Sequence, residues 1–186
     1  MKRSVTNRPR LLALDPTSTS FGFVVIEGDE LIEWGVSGVK GDRNKESLRK
    51  IGRLIDRYQP DILVMEHYEP KSRRRTIRTK ELIEELKELA QRKRIQSRTI
   101  SQSEIRTTFA QFGAVTKHQI AVEIAKKFPE LTPSLPRLRK PWMSEDKRTS
   151  IFDATSLALS YYFLSGRCNV SYNSGPNLAD ITSASG

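Results

Sequence analysis

Two short, wholly apolar runs, each ended by an acidic residue, constrain the fold of this chain more than any other feature. Leu-Leu-Ala-Leu at 11–14 ends at Asp15, and Ile-Leu-Val-Met at 62–65 ends at Glu66. Apolar runs of this length are typical of strands that are buried on both faces of a sheet. A helical pattern lies between the two runs, so we expect the second strand to be parallel to the first.

Further predicted elements surround these two strands. Residues 21–26 and 31–39 are rich in β-formers and are separated by Glu-Gly-Asp-Glu, which predicts an antiparallel hairpin. Apolar residues recur at three- and four-residue steps over 44–58, which predicts a helix. We expect a short strand at 98–100 and further helices at 80–91, 101–112, 117–128 (capped by Thr116) and about 146–164, with a loop at 129–141.

The order of these elements predicts an α/β fold, a ribonuclease H-like mixed five-stranded sheet with helices on both faces. We expect a basic N-terminal extension at 1–10, one domain at 11–164, and a disordered tail at 165–186, because that tail is rich in Ser, Asn and Gly.

The charge balance indicates the kind of partner. The chain has 32 Lys and Arg against 22 Asp and Glu, a net charge of +10, which favours a polyanion. One cysteine, Cys168, and two histidines exclude a disulfide scaffold and a zinc finger. No apolar run approaches the ~20 residues of a membrane span, so we expect no membrane partner and a cytoplasmic protein, associated with the nucleoid if bacterial.

Acidic residues form the candidate site. Asp15 and Glu66 end neighbouring parallel strands, so they should lie ~5 Å apart at one edge of the sheet. Asp153 stands in an otherwise apolar or small stretch of the last helix, where a charge needs a partner or a metal. Asp146 would share its helix face if the helix begins that early.

Oxygen ligands of this kind, without a histidine or thiolate cluster, suit Mg²⁺, with Mn²⁺ as a substitute. A pair of such ions ~4 Å apart would activate a water and stabilise the leaving oxygen in phosphodiester hydrolysis. The stretch after Glu66 is basic and suits binding to DNA phosphates through Lys71, Arg73, Arg74, Arg75 and Arg78.

Four motifs in order carry a family resemblance. Asp15-Pro16-Thr17-Ser18 is followed by Gly22, seven residues after the aspartate, and Glu66 ends the second strand. Residues 113–120 read Gly-Ala-Val-Thr-Lys-His-Gln-Ile, and residues 153–159 read Asp-Ala-Thr-Ser-Leu-Ala-Leu. Over residues 11–164 the chain resembles the RuvC-type Holliday-junction resolvases of the ribonuclease H-like superfamily.

The resemblance implies a metal-dependent, structure-selective endodeoxyribonuclease that resolves four-way DNA junctions as a homodimer. It implies that Asp15, Glu66 and Asp153 bind the metal, that Lys117 contacts phosphate, and that Tyr68 takes the place of an aromatic wedge against DNA. The family carries a further acid or a histidine where this chain has Ser150. Either Asp146 supplies that ligand, or the site has three carboxylates.

Other functions remain open at this point. A related nuclease acting on RNA, as in ribosomal RNA processing, would use the same carboxylates. A nucleic-acid-binding protein with weakened catalysis is another candidate, because Ser150 replaces an acid or a histidine of the resolvase family. The residues 15–20 also resemble the first phosphate loop of sugar kinases and actin, but that fold needs two such domains and 186 residues supply one.

Overall fold

The computed structural model describes residues 8–67, 77–138 and 146–166. These residues form one five-stranded sheet in the order β3-β2-β1-β4-β5. Strands β1 (Arg10–Pro16), β2 (Ser20–Glu27) and β3 (Glu30–Gly38) pair antiparallel. Strands β4 (Ile62–Glu66) and β5 (Gln96–Ile100) extend the sheet from β1 in parallel. The predicted mixed five-stranded sheet is confirmed.

Helices cover both faces of this sheet. Alternate residues of β1 face opposite layers, since Leu12 and Leu14 pack with α1 and α2, whereas Leu11 and Ala13 pack with α3, α4 and α5. The helices are α1 (Arg43–Tyr58), α2 (Ile77–Arg92), α3 (Gln102–Ala110), α4 (Lys117–Lys127) and α5 (Thr149–Leu164).

The last helix is a core element. Twelve of the 16 residues of α5 are buried, and the helix packs on β1 and β2. Near its end, the Tyr162 hydroxyl donates to the Pro9 carbonyl at 2.6 Å and accepts from the Gly28 N–H at 3.0 Å. Helix α5 is thereby tied to the start of β1 and to the turn between β2 and β3.

Among the predicted boundaries that differ from the structure, three concern the start of α5, the loop after α4 and the start of β1. Helix α5 begins at Thr149, not at 146, because Asp146 bonds to the backbone N–H of Arg148 at 2.9 Å and so holds a turn instead. Residues Pro129–Ser134 form a 3-10 helix inside the predicted loop. Arg10 belongs to β1 and not to an extension, since it pairs with Glu27 across the strands at 2.6 Å.

Several predictions lie outside the described residues: those for Tyr68, Lys71, Arg73, Arg74 and Arg75, and most of the tail at 165–186. Among the helices of the described ranges, none has the length and apolar character to cross a membrane.

Candidate active site

The first two carboxylates stand side by side at one edge of the sheet. Asp15 and Glu66 each follow by one residue the last registered pair of β1 and β4, so their backbones lie ~5 Å apart. Ala13 and Val64, two residues earlier on each strand, belong to the core beneath α5. Because side chains alternate along a strand, Asp15 and Glu66 are on the face that α5 covers.

A glycine brings α5 onto this edge. Gly22 on β2 is registered opposite Asp15. A Cβ built at Gly22 would lie 2.3 Å from the carbonyl oxygen of Ser150, so no side chain fits between β2 and the first turn of α5. Asp153 comes one turn after Ser150, which places it on the helix that lies directly over the face carrying Asp15.

Lys117 holds the third carboxylate. Its Nζ donates to Oδ2 of Asp153 at 2.8 Å. Lys117 is the first residue of α4, and Thr116 caps that helix by accepting from the Gln119 N–H, as predicted from the sequence. The lysine is therefore fixed by a helix start, and 58% of its side chain is exposed beside a carboxylate that is 29% exposed.

The second carboxylate, that of Glu66, is hydrogen-bonded by Gln102, a residue that the sequence analysis did not identify. Its Nε2 donates to Oε1 of Glu66 at 2.6 Å. Gln102 begins α3, whose start is fixed by a capping box between Ser101 and Glu104. The backbone N–H of Ser101, and then its hydroxyl, lowers the pKa of Glu104. The sequence signal was this Ser-x-x-Glu box directly after β5, which ends at the same edge as β4.

The loop after Asp15 is held by two arginines. The Arg43 guanidinium donates to the Ser18 carbonyl at 3.1 Å, and the Arg78 guanidinium donates to the carbonyls of Thr17 and Ser18. Arg78 was predicted from the sequence to bind DNA, and the structure engages it in positioning this loop. The DNA contact of Arg78 stays a prediction.

Asp146 does not have the geometry that its predicted role needed. It precedes α5, so it does not share a helix face with Asp153, and the i,i+7 argument fails. Its carboxylate accepts from Arg148 Nη2 at 2.6 Å. The hydrogen bonds from the Arg148 side chain, and then from its backbone N–H, hold the pKa of Asp146 below the usual value.

The donor set of the site fits a hard cation. Asp15, Glu66 and Asp153 offer only carboxylate oxygens, which Mg²⁺ and Mn²⁺ prefer. Asp15 is only 4% exposed, and a carboxylate so buried requires a cation or hydrogen-bond donors. Within the described ranges, no three His, Cys, Asp or Glu side chains lie close enough together to hold an ion as they stand. Binding of one ion by the three carboxylates stays a prediction.

Comparison with known proteins identifies the fold. No protein-family model and no curated protein sequence matches this chain. A structure of Thermus thermophilus RuvC superposes with a TM-score of 0.63 at 14% identity, covering 85% of this chain and 97% of that one. Thermus thermophilus RuvC in complex with its Holliday junction substrate superposes with a TM-score of 0.62 at 13% identity. The match covers 86% of this chain and 97% of that one. The yeast mitochondrial Holliday junction resolvase Ydc2 superposes with a TM-score of 0.58 at 14% identity. The match covers 86% of this chain and 81% of that one.

Proposed function

We propose that this chain, which has the fold of the RuvC-type Holliday junction resolvases, is a metal-dependent endonuclease that cleaves four-way DNA junctions. The observation that carries the proposal is the pairing of Asp15 and Glu66 at adjoining strand ends beneath the helix that bears Asp153. Thermus thermophilus RuvC has been seen with a Holliday junction substrate, which supports the choice of DNA.

Asp15, Glu66 and Asp153 would hold Mg²⁺, with Mn²⁺ as a substitute. When bound, the ion supplies an activated water and neutralises charge on the phosphate that is cut. Gln102 orients Glu66 from the start of α3. Lys117 is close enough to Asp153 to donate to a phosphate oxygen at the same place, where a cation stabilises the charge that develops during hydrolysis.

Other parts of the proposal concern DNA binding and assembly. Lys71, Arg73, Arg74, Arg75 and Arg78 would contact phosphates, and Tyr68 would stack against the junction. A junction with two-fold symmetry suits a homodimer that presents two such sites. The proposal also includes a cytoplasmic location, with association with the nucleoid if the protein is bacterial.

The experiment compares three labelled substrates: a four-way junction, a linear duplex and a structured RNA, each with Mg²⁺ or with EDTA. We expect the junction alone to be cut, and only with Mg²⁺. The variants Asp15→Asn, Glu66→Gln and Asp153→Asn should each abolish cleavage and keep or tighten junction binding, because each removes a negative charge near the phosphates. Cleavage by all three variants, or equal cleavage in EDTA, would contradict the proposed metal site.

The same assay separates the alternatives. Preferential cleavage of RNA would assign the carboxylates to RNA processing. Tight junction binding without cleavage in Mg²⁺ or Mn²⁺ would favour a weakened nuclease that only binds DNA. Ser150 favours that second candidate, since its hydroxyl donates to the Lys147 carbonyl at 2.7 Å and supplies no fourth carboxylate.

A further inference from the structure

A second surface lies at the same edge of the sheet as the carboxylates. Strand β3 is antiparallel to β2, which is antiparallel to β1, so β3 ends at the edge where Asp15 lies. The Val39 N–H donates to the Thr19 carbonyl at 2.9 Å and joins the end of β3 to the loop after Asp15. The residues after β3 therefore lie two strands away from Asp15, on the side opposite to Glu66.

A groove of about 630 Å³ opens at this end of β3, and we name it the β3-end groove. Four separate parts of the chain line it: the start of β2 with the loop before it, the end of β3, the first half of α1 and the turn before α5. Its charged lining is Lys40, Lys50, Lys147 and Arg148 against Glu46, and Thr19 and Ser20 add hydroxyl groups. Cations thus reach the groove from both faces of the sheet.

Among the described residues, two of these cations have no counter-charge. Glu46 accepts from Arg49 at 2.6 Å and lies 3.8 Å from Lys50, and Arg148 pairs with Asp146. For the exposed Lys40 and Lys147, the described part of the chain provides no ion-pair partner. Two such lysines on different elements repel each other, and a polyanion lying in the groove between them would relieve that repulsion.

We propose that the β3-end groove binds the sugar-phosphate backbone of DNA about one or two nucleotides from the phosphate that is cut. The inference rests on the proposed function for the identity of the cut phosphate. Two strand spacings separate the end of β3 from Asp15, roughly 10 Å. A strand of duplex advances about 3.4 Å along the helix axis per phosphate and also winds round that axis, so neighbouring phosphates lie farther apart than this rise, and the same distance reaches about one or two phosphates from the cut.

The test begins with binding in EDTA, where cleavage plays no part. The double variant Lys40→Ala, Lys147→Ala is compared with Lys87→Ala, Lys126→Ala, which removes the same charge from exposed lysines of α2 and of the far end of α4. Binding to the junction is measured as a function of salt concentration. We expect only the groove variant to flatten the slope of the logarithm of the association constant against the logarithm of the salt concentration, by about 0.9 per lost phosphate contact and up to about 1.8 for two. Thermal melts check that both variants are folded.

The second step locates the contact. Single methylphosphonates, which are uncharged, are placed along the continuous strand of a four-way junction that the wild type cuts. The wild type should lose affinity when the neutral group lies about one or two nucleotides from the cut, on one side. The affinity of the groove variant should not change when the neutral group is at that position, and the control variant should lose affinity as the wild type does.

Each outcome bears on a different claim. Equal slopes for the groove and control variants, or a methylphosphonate effect that survives in the groove variant, would overturn the groove inference and leave the proposed nuclease intact. A wild type that binds the junction and shows the groove effect but never cuts would keep the groove as a phosphate site and contradict the nuclease. No binding of the junction by the wild type would overturn both.

Discussion

At the scale of single residues, the contact between Lys117 and Asp153 carries the most consequence. The ammonium lies 2.8 Å from a carboxylate that we expect to bind Mg²⁺, so it competes with the ion and also supplies charge to the phosphate. We predict that Lys117→Gln lowers the cleavage rate at saturating Mg²⁺ by ~10²-fold or more, since one lost donor to a transition-state oxyanion has about that effect.

The same substitution should lower the Mg²⁺ concentration needed for half-maximal cleavage, because a competing cation is removed. Rates measured across a Mg²⁺ titration separate the two effects. A matched control is Lys126→Gln at the far end of the same helix. It should change neither the cleavage rate at saturating Mg²⁺ nor the Mg²⁺ concentration for half-maximal cleavage. A higher Mg²⁺ requirement in Lys117→Gln would contradict the competition.

Asp146 and Ser150 allow a second prediction at this scale. Arg148 binds the Asp146 carboxylate outside the helix, so we expect Asp146→Asn to leave the cleavage rate within a few-fold of the wild type. Ser150→Asp should lower the Mg²⁺ concentration for half-maximal cleavage, because it adds a carboxylate to the helix turn that lies over β2. A large loss of rate in Asp146→Asn would restore Asp146 as a ligand.

Sequence reasoning located Asp15 and Glu66 because strand ends follow from the apolar pattern, and parallel strands bring their ends together. It did not identify the contact of Gln102 with Glu66 or the loop-holding role of Arg78, although the Ser-x-x-Glu box at 101–104 marked the helix start that carries Gln102. Their partners lie 36 and 60 residues away, and such contacts depend on how helices sit on the sheet. Patterns within one helix or strand do not indicate contacts between residues so far apart in the sequence.

At the scale of elements, the contact between β2 and α5 decides where Asp153 lies. We predict that Gly22→Ala lowers the free energy of unfolding by about 1–3 kcal/mol, because a new Cβ at 2.3 Å from the Ser150 carbonyl forces α5 outward. Cleavage should fall further than stability explains, since a small displacement of a catalytic carboxylate is costly. Denaturant unfolding and cleavage rates under fully folded conditions check both.

The matched control is Gly52→Ala. Gly52 lies on α1, and a Cβ there would meet nothing within 4 Å. Alanine is the better helix former, so this variant should gain about 0.5–1 kcal/mol and keep full activity. If both glycine variants behaved alike, steric contact with Ser150 would not explain the effect at position 22.

Element types were predictable and some element ends were not. The strands and helices follow from period-2 and period-3.6 patterns, and Thr116 was predicted as a cap from its position before Lys117. The start of α5 was misjudged because Asp146 is equally suited to a helix start and to a turn. The hydrogen bonds from Arg148 select the turn.

At the scale of the whole molecule, Tyr162 joins the two ends of the described domain. Its hydroxyl binds Pro9 and Gly28, which belong to different parts of the chain. We predict that Tyr162→Phe lowers the free energy of unfolding by about 1–3 kcal/mol at neutral pH, because the partly buried Pro9 carbonyl and Gly28 N–H lose their partner.

This residue also gives the stability a pH dependence. Burial raises the pKa of Tyr162 above its ordinary value of 10.0. Its contribution is therefore full below pH 10.0 and falls as the pH rises beyond that value, since the unfolded chain ionises first. Unfolding measured from pH 8 to about 11 should show a weaker alkaline loss in Tyr162→Phe than in the wild type. Parallel curves would contradict the assignment.

The position of α5 along the chain also sets when the site can exist during synthesis. Asp15 and Glu66 are translated early, but Asp153, on the helix that covers them, comes 87 residues after Glu66. At ~5–20 residues per second the ribosome needs roughly 4–17 s to reach it. Until then the face of β1 and β2 that α5 buries is bare, and a nascent chain has two of the three carboxylates. The nuclease proposed for this chain would therefore stay inactive until its core closes.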